Sequence, residues 1–163
     1  MLGSKRLLAS LAVLSALFWL GTTSALAAGN PDRQPLPSPP DVIGPFCGTA
    51  MGDIVAHVAV QREYIKTFSS SNGVTRYGIE GYQLDTFTVV ATGKSVSVNA
   101  SGPASITDYP DGTEIFVLLG HTVYVNPPTG GIFLYTGRVT VDTTTGQIAS
   151  HIGGTKDICA LLH

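Results

Sequence analysis

Short runs of β-branched and aromatic residues, each ended by turn-forming residues, cover the chain from Phe46 onwards. In residues 95–99, valines alternate with serines and an asparagine, a period of two that indicates a strand with one face in water. No stretch keeps a helical period, and at most one turn of helix fits residues 157–162. The pattern therefore predicts an all-β domain.

These runs predict roughly seven to nine short antiparallel strands, at a spacing that is typical of barrels and sandwiches. Gly120 and Gly137 interrupt two of the runs, as the corners of a small barrel require. We therefore expect a single small antiparallel β-barrel, and a β-sandwich is the alternative. The predicted strands are residues 54–68, 74–82, 86–91, 95–100, 114–119, 121–125, 132–135, 138–141 and 147–152.

Two cysteines lie at the two ends of this region, Cys47 at its start and Cys159 near its end. In an exported protein, two cysteines are normally paired. A bond between them would close a loop of about 112 residues. The loop-entropy model gives a stabilisation of about 4–5 kcal/mol for a loop of this length. A metal-binding thiolate pair or a catalytic thiol fits poorly with an oxidising compartment. We predict one disulfide that joins the two ends of the domain.

The N-terminus has the order of features found in secretory signals. Two basic side chains precede an apolar run at 7–20, and an A-x-A motif follows at 25–27. The run of about 14 residues is shorter than the roughly 20 that span a bilayer. Residues 1–27 are therefore predicted to be a signal peptide, cleaved between Ala27 and Ala28. The mature protein is expected to be extracellular, without stable membrane insertion.

A proline-rich stretch follows the predicted cleavage site. Residues 28–45 contain six of the ten prolines of the chain. Proline fixes φ and cannot donate to a ladder, so such a stretch favours an extended polyproline-II conformation. We predict a disordered, semi-rigid linker over residues 28–45 and the secreted all-β domain over residues 46–163.

The charge of the chain argues against a nucleic-acid partner. Charged residues make up only 12% of the sequence, and the formal net charge is −2. Without the two basic residues of the predicted signal, seven basic and eleven acidic side chains leave −4. The basic residues are scattered and form no stripe that a polyanion would bind.

Four segments stand out in order along the domain: TGKSVSVNASGP at 92–103, PDGT at 110–113, GIFLYTGRV at 131–139 and TKDICALL at 155–162. Together they resemble a pattern found in small secreted proteins of actinobacteria. The likeness extends over residues 46–162, although little can be matched in residues 61–82. It implies a β-barrel-like secreted domain from a high-GC Gram-positive bacterium, and it implies no reaction and no catalytic residues.

The histidines are the candidates for a metal site. Three of them fall on predicted strands, and inside a barrel they could converge on zinc or copper. No two histidines are two apart on a strand or four apart on a helix, so we predict no metal and no cofactor. The four are His57, His121, His151 and His163.

Carboxylates and tyrosines are the remaining candidates for chemistry. Paired carboxylates would suit glycoside hydrolysis. Most carboxylates of this sequence, however, lie beside turns, where aspartate is a turn former. The six tyrosines could line a ligand pocket or cap the core with their hydroxyls in water. No catalytic residue is assigned and the binding residues are unknown. The residues concerned are Asp53, Glu63, Glu80, Asp85, Asp108, Asp111, Glu114, Asp142 and Asp157, and Tyr64, Tyr77, Tyr82, Tyr109, Tyr124 and Tyr135.

Three functions remain open. The first is a non-enzymatic module that binds a small apolar ligand, which requires an interior cavity. The alternative is a structural or interaction protein of the cell surface or envelope, with a filled interior, an exposed apolar patch and a surface protein as partner. The third is a hydrolase or isomerase, in which titratable residues with shifted pKa values converge in a cleft.

Overall fold

The computed structural model describes residues 33–68, 72–125 and 130–163. The predicted signal peptide, with its cleavage site at Ala27 and Ala28, lies outside the described residues. In the part described, no helix is both long and apolar enough to cross a membrane. The elements in these residues are β1 (Arg33–Pro35), β2 (Val42–Gly44), β3 (Ile54–Phe68), β4 (Thr75–Val89), β5 (Ser95–Asn99), β6 (Ala104–Asp108), β7 (Glu114–Val125), β8 (Ile132–Asp142), β9 (Gln147–Asp157) and the short helix α1 (Cys159–Leu162).

All of these strands belong to one antiparallel sheet. Its main path runs β1-β3-β4-β6-β7-β8-β9, while β2 also pairs with β3 and β5 also pairs with β4. Within the described residues, no pairing joins β9 back to β1 or β3, so the sheet is not closed into a barrel. The prediction of an all-β antiparallel fold is confirmed, whereas the predicted closed barrel is not.

Side chains and a disulfide join the two ends of the sheet, where a barrel would have a ladder of backbone hydrogen bonds. Beyond β9, the residues Ile158, Cys159 and Leu162 are buried. They share a core cluster with Val98 of β5. The predicted bond between Cys47 and Cys159 is confirmed, with 5.5 Å between the two Cα atoms. The C-terminal turn is thus fixed to the opposite end of the sheet without strand pairing.

The sheet folds over on itself and encloses two groups of buried apolar side chains. The first cluster joins the start of β3 and the end of β4 to β5, β7, β8 and α1. The second cluster comes from β4, β6, β7 and β8. One face of the single sheet is therefore the inside of the domain. The buried members are Ile54, Phe87, Val89, Val98, Val125, Ile132, Ile158, Cys159 and Leu162 in the first cluster, and Ile79, Ile106, Phe116, Val139 and Val141 in the second.

Three glycines, which we call the glycine row, lie side by side across β7, β8 and β9. Gly120 pairs with Gly137, and Gly137 pairs with Gly153. Their φ angles of 94°, 105° and 146° lie in a region that L side chains rarely adopt. The alternation of side chains is reset here, because Leu118 and Val123 both pack inside although they are an odd number of residues apart. The two glycines therefore do have an unusual backbone conformation, but they do not end the strands: the predicted strands 114–119 and 121–125 form the single strand β7, and 132–135 and 138–141 form the single strand β8.

Strand β4 differs from the prediction for this part of the chain. The sequence predicts two strands, 74–82 and 86–91, whereas the structure has one strand that pairs with β3 along its whole length. The polar residues Gln83 and Asp85 interrupt the apolar run, but their side chains hydrogen-bond to each other inside the sheet. Strand β6, which the sequence analysis does not predict, pairs with both β4 and β7.

The described part of the predicted linker lies along β3. Both β1 and β2 pair antiparallel with β3. Strand β1 is at the edge of the sheet, where a proline can be tolerated because one side of the strand has no ladder partner. The guanidinium of Arg33 lies 4.2 Å from the centroid of the Tyr64 ring and 3.2 Å from the carboxylate of Glu80. Residues 33–35 and 42–44 therefore form part of the sheet's edge.

Replacing both Cys47 and Cys159 with serine is expected to lower the melting temperature. The bond joins residues 112 apart in sequence. Its loss should cost about 4–5 kcal/mol, on the order of 15 °C for a domain of this size. Differential scanning calorimetry of the double variant beside the wild type measures the shift. Equal melting temperatures would contradict the role of the bond in holding the two ends together.

Gly137→Ala is expected to destabilise the fold by more than about 3 kcal/mol, because an L residue is strained at this φ and its Cβ would overlap the carbonyl oxygen of Ile152. Gly112→Ala is the matched control, since Gly112 also has a positive φ, of 85°, but nothing lies within 4 Å of the added Cβ. That variant should lose only about 1–2 kcal/mol. Urea unfolding compares them, and equal losses would argue against close packing of the glycine row.

Candidate functional site

A cavity of about 240 Å³, partly open to solvent, lies between the two clusters of buried side chains. Its wall includes Phe87 and Val125 from the first cluster, and Ile79 and Phe116 from the second. A cavity of about 150 Å³ holds benzene, so by volume this one accepts a molecule of about ten non-hydrogen atoms. Most of the wall is apolar, and its polar side chains come from a few positions on β3, β4 and β7.

Four polar side chains on neighbouring strands form one part of this wall, and we call them the polar quartet: Gln61 and Glu63 on β3, Gln83 and Asp85 on β4. Gln61 and Gln83 are direct partners across the ladder. On β4, the period of two that turns Phe87 inward also turns Gln83 and Asp85 inward. On β3, a β-bulge just before Gln61 turns Gln61 and Glu63 toward the same cavity as Gln83 and Asp85.

Each amide of the polar quartet donates a hydrogen bond to the carboxylate two residues along its own strand. Gln83 Nε2 donates to Asp85 Oδ1 at 2.8 Å. Gln61 Nε2 donates to Glu63 Oε2 at 3.2 Å. Within the described residues, Gln61 Oε1 is buried and has no hydrogen-bond partner. One N–H of each amide is thus engaged inside the quartet, and each amide keeps a second N–H. What the quartet offers to the cavity is still mainly oxygen acceptors, because the two carboxylates and the two amide oxygens outnumber these donors.

Burial makes both carboxylates harder to ionise. Asp85 is only 7% exposed, and this desolvation raises its pKa to about 6, although the hydrogen bond from Gln83 opposes the change. Burial also raises the pKa of Glu63, opposed by Gln61 and reinforced by the negative charge of Asp85. No cationic side chain of the described residues contributes to either shift. Near neutral pH, the cavity wall therefore carries negative charge in apolar surroundings.

Residues 36–42, which we call the proline strap, form a further wall of the cavity. The N–H of Leu36 donates to the carbonyl oxygen of Glu63 at 2.9 Å, and Asp41 Oδ1 lies 2.6 Å from His57 Nδ1. Because prolines have no N–H, this irregular segment can lie against an apolar surface with few unpaired donors. The strap residues in the wall are Leu36, Pro37, Pro39, Pro40 and Val42.

The structure brings two of the four histidines to the cavity. His57 and His121 both line it. His151 instead lies edge-on to the ring of Tyr135, with 4.8 Å between the centroids. The backbone carbonyl of His163 accepts a hydrogen bond from Lys94. Among the described residues, no group of three or more histidine, cysteine, aspartate or glutamate side chains is arranged to hold a metal ion.

The tyrosines lie elsewhere. None of the six lines this cavity, so the hypothesis of a tyrosine-lined pocket is wrong for it. The hydroxyl of Tyr124 donates to the carbonyl oxygen of Gly146 at 2.8 Å, and its ring meets Tyr135 edge-on. Burial raises the pKa of Tyr124.

Several other carboxylates have roles outside the cavity. Asp111 and Asp142 form turns, as predicted, since each accepts backbone N–H groups of its own turn, which lowers its pKa. Glu114 faces Asp108 across the β6–β7 ladder. Burial raises the pKa of Glu114, and the charge of Asp108 raises it further. None of these four lines the cavity.

The polar quartet is not predicted from the sequence. There, Glu63 and Asp85 are only two of many carboxylates, and residues 83–85 fall between two predicted strands. The available signal is a glutamine two residues before an acidic residue, which occurs at 61–63 and again at 83–85. In a strand, that spacing puts both side chains on one face.

Comparisons with protein-family models, with curated proteins and with solved structures found no match for this chain. The resemblance to small secreted actinobacterial proteins stays a prediction. The function proposed for the cavity therefore rests on its own residues.

Asp85→Asn is expected to remove a pH dependence of stability. Because the folded-state pKa is about 6 and the ordinary value is 3.8, the native state binds this proton more tightly than the unfolded chain. Stability therefore falls as pH rises between these values, by about 3 kcal/mol in total. Asparagine can still accept the hydrogen bond from Gln83 but has no charge to bury. Relative to the wild type, the free energy of unfolding of the variant should therefore rise by about 3 kcal/mol between about pH 4 and pH 8.

Urea unfolding at a series of pH values measures this difference. Asp53→Asn is the control, since Asp53 is exposed and does not line the cavity. Its profile should run parallel to that of the wild type. If the Asp85→Asn profile also runs parallel, the carboxylate is not titrating in a buried environment.

Proposed function

We propose that this domain is a secreted binding protein that holds a small, mainly apolar molecule in its cavity. The observation that carries the proposal is the cavity of about 240 Å³, with an apolar wall and a few polar groups in one place. Small-molecule sites have this composition, in which apolar surface provides affinity and a few polar groups fix orientation.

The size of the cavity follows from small residues in its wall. Ala56, Ala100 and Ala104 all line it. Larger side chains at these three positions would occupy the same space. The volume is therefore a property of the sequence at specific positions and supports a binding role.

The concave shape of the cavity, which is partly open to solvent, suits a small molecule better than a flat protein surface. The proline strap and the folded-over sheet both contribute to the wall. A surface or envelope interaction protein, which is the alternative function, is expected instead to have a filled interior. Secretion enters the proposal from the signal-like N-terminus, and the disulfide supports it because such bonds persist in oxidising compartments.

An acid–base enzyme, such as an isomerase or hydrolase, is a second candidate. It is favoured by one observation, the pKa of about 6 at Asp85 in a cavity that also contains Glu63. Catalysis of this kind also needs donors that stabilise developing negative charge. Both amide nitrogens of the polar quartet point at carboxylates instead. We therefore prefer binding.

Titration with indole, observed by NMR of the 15N-labelled protein, tests the proposal. Indole falls within the size limit of about ten non-hydrogen atoms. We expect saturable shifts of amides around the cavity, such as Ile79, Leu118 and Val123, with a dissociation constant on the order of 1 mM or tighter. Shifts that do not saturate, or that spread over exposed residues, would contradict the proposal.

A cavity-filling variant sharpens this test. Ala104→Phe places a ring in the cavity and should abolish the shifts while the melting temperature stays near that of the wild type. Ala91→Phe is the control, because Ala91 is exposed and does not line the cavity. If Ala104→Phe fails to fold, Ala56→Leu fills less of the same space. Undiminished binding in a folded filling variant would place the indole site elsewhere.

A further inference from the structure

We propose that the molecule held in this cavity is a small amine, whose cationic head is bound by the polar quartet and whose apolar body fills the rest. This inference rests on the proposed function and adds the chemical class of the ligand. It follows from the hydrogen-bonding capacity, the charge and the shape of the wall.

The hydrogen-bonding capacity that remains in the polar quartet is mostly that of acceptors. A carboxylate has about four acceptor sites, and the structure gives Asp85 and Glu63 one amide donor each. Gln61 Oε1 is buried without a partner in the described part of the chain. An ammonium group has three donors and no acceptor, which matches this surface. A carboxylate, phosphate or ketone ligand would instead place its own acceptor oxygens against the acceptor oxygens of the quartet, and two acceptors form no hydrogen bond.

The charges around the cavity also favour a cationic ligand. No lysine or arginine of the described residues lines it, whereas two carboxylates do. In apolar surroundings, charges interact more strongly than in water, so a ligand cation relieves the repulsion between Asp85 and Glu63 and replaces lost hydration. The coupling between these two groups is already present, because the charge of Asp85 raises the pKa of Glu63.

The shape of the wall limits the rest of the ligand. Strand β7 contributes Phe116, Leu118, Val123 and Val125 to the wall, beside His121 and Thr122, and the four apolar side chains offer nothing that a second polar group could bind. A polar or doubly charged amine would leave its second polar group against this wall, at the cost of desolvation. The ligand is therefore an amine with one polar end and a compact apolar body of fewer than about ten non-hydrogen atoms.

Binding of such an amine should depend on pH. A cation binds the ionised form of Asp85, so affinity should rise as pH increases through about 6 and then level off. Three other titratable groups line the cavity: Glu63 and His57 on β3, and His121 on β7. His57 also contacts Asp41 of the proline strap. Protonation of these groups weakens cation binding in the same direction, so variants are needed to assign the effect.

Isothermal titration calorimetry with 2-phenylethylamine and 2-phenylethanol makes the test. The two probes have nearly the same size and shape, and only the amine is charged near pH 7.5. The wild type is expected to bind the amine at least about tenfold more tightly than the alcohol. Asp85→Asn and Glu63→Gln should each remove most of this preference while affinity for the alcohol stays within about twofold. Asp53→Asn, which removes an exposed charge outside the cavity, should keep it.

The outcomes separate this inference from the proposed function. Equal affinities for amine and alcohol in the wild type, or a preference that survives both quartet substitutions, would overturn the amine inference and leave the binding role intact. Binding of indole without binding of the amine would do the same. If none of the three probes binds, the proposed function itself fails. Circular dichroism of each variant establishes that it is folded.

Discussion

The glycine row determines which side chains of β7 face the interior. Gly120, Gly137 and Gly153 lie side by side across β7, β8 and β9. At these positions the backbone has a conformation that other residues rarely adopt, and the alternation of side chains is reset. Both core clusters and the cavity depend on this, because β7 contributes Phe116 and Leu118 before the row and Val123 and Val125 after it.

Inside this folded sheet, stability and function place opposite demands on the same strands. Apolar positions of β4 contribute Ile79 and Phe87 to the two clusters, while the positions between them contribute Gln83 and Asp85. Burying a carboxylate is unfavourable, as the raised pKa of Asp85 indicates. The hydrogen bonds within the polar quartet offset only part of that cost. Such an unfavourable group in a cavity wall is typical of a site that a ligand completes.

The sequence predicts the parts of this fold that depend on local patterns. Alternation indicates strands such as β5, the glycines at 120 and 137 mark positions of unusual backbone conformation, and the expected export of the protein pairs Cys47 with Cys159. What it does not predict depends on distant contacts: the continuity of β4 through Asp85, the pairing of β1 and β2 with β3, and the open sheet whose ends α1 joins. The polar quartet belongs to this second group, because two glutamine–acid pairs become one site only when β3 and β4 are placed side by side.

The position of the disulfide has a consequence for how the molecule matures. Hairpins such as β7–β8 and β8–β9 connect neighbouring parts of the chain and can form as soon as their own residues are present. Cys47 pairs with a partner 112 residues away, in a turn whose buried side chains share a core cluster with β3, β4, β5, β7 and β8. Oxidation of this pair is therefore a late event, and the oxidised state of the protein is a chemical record that its two ends have come together.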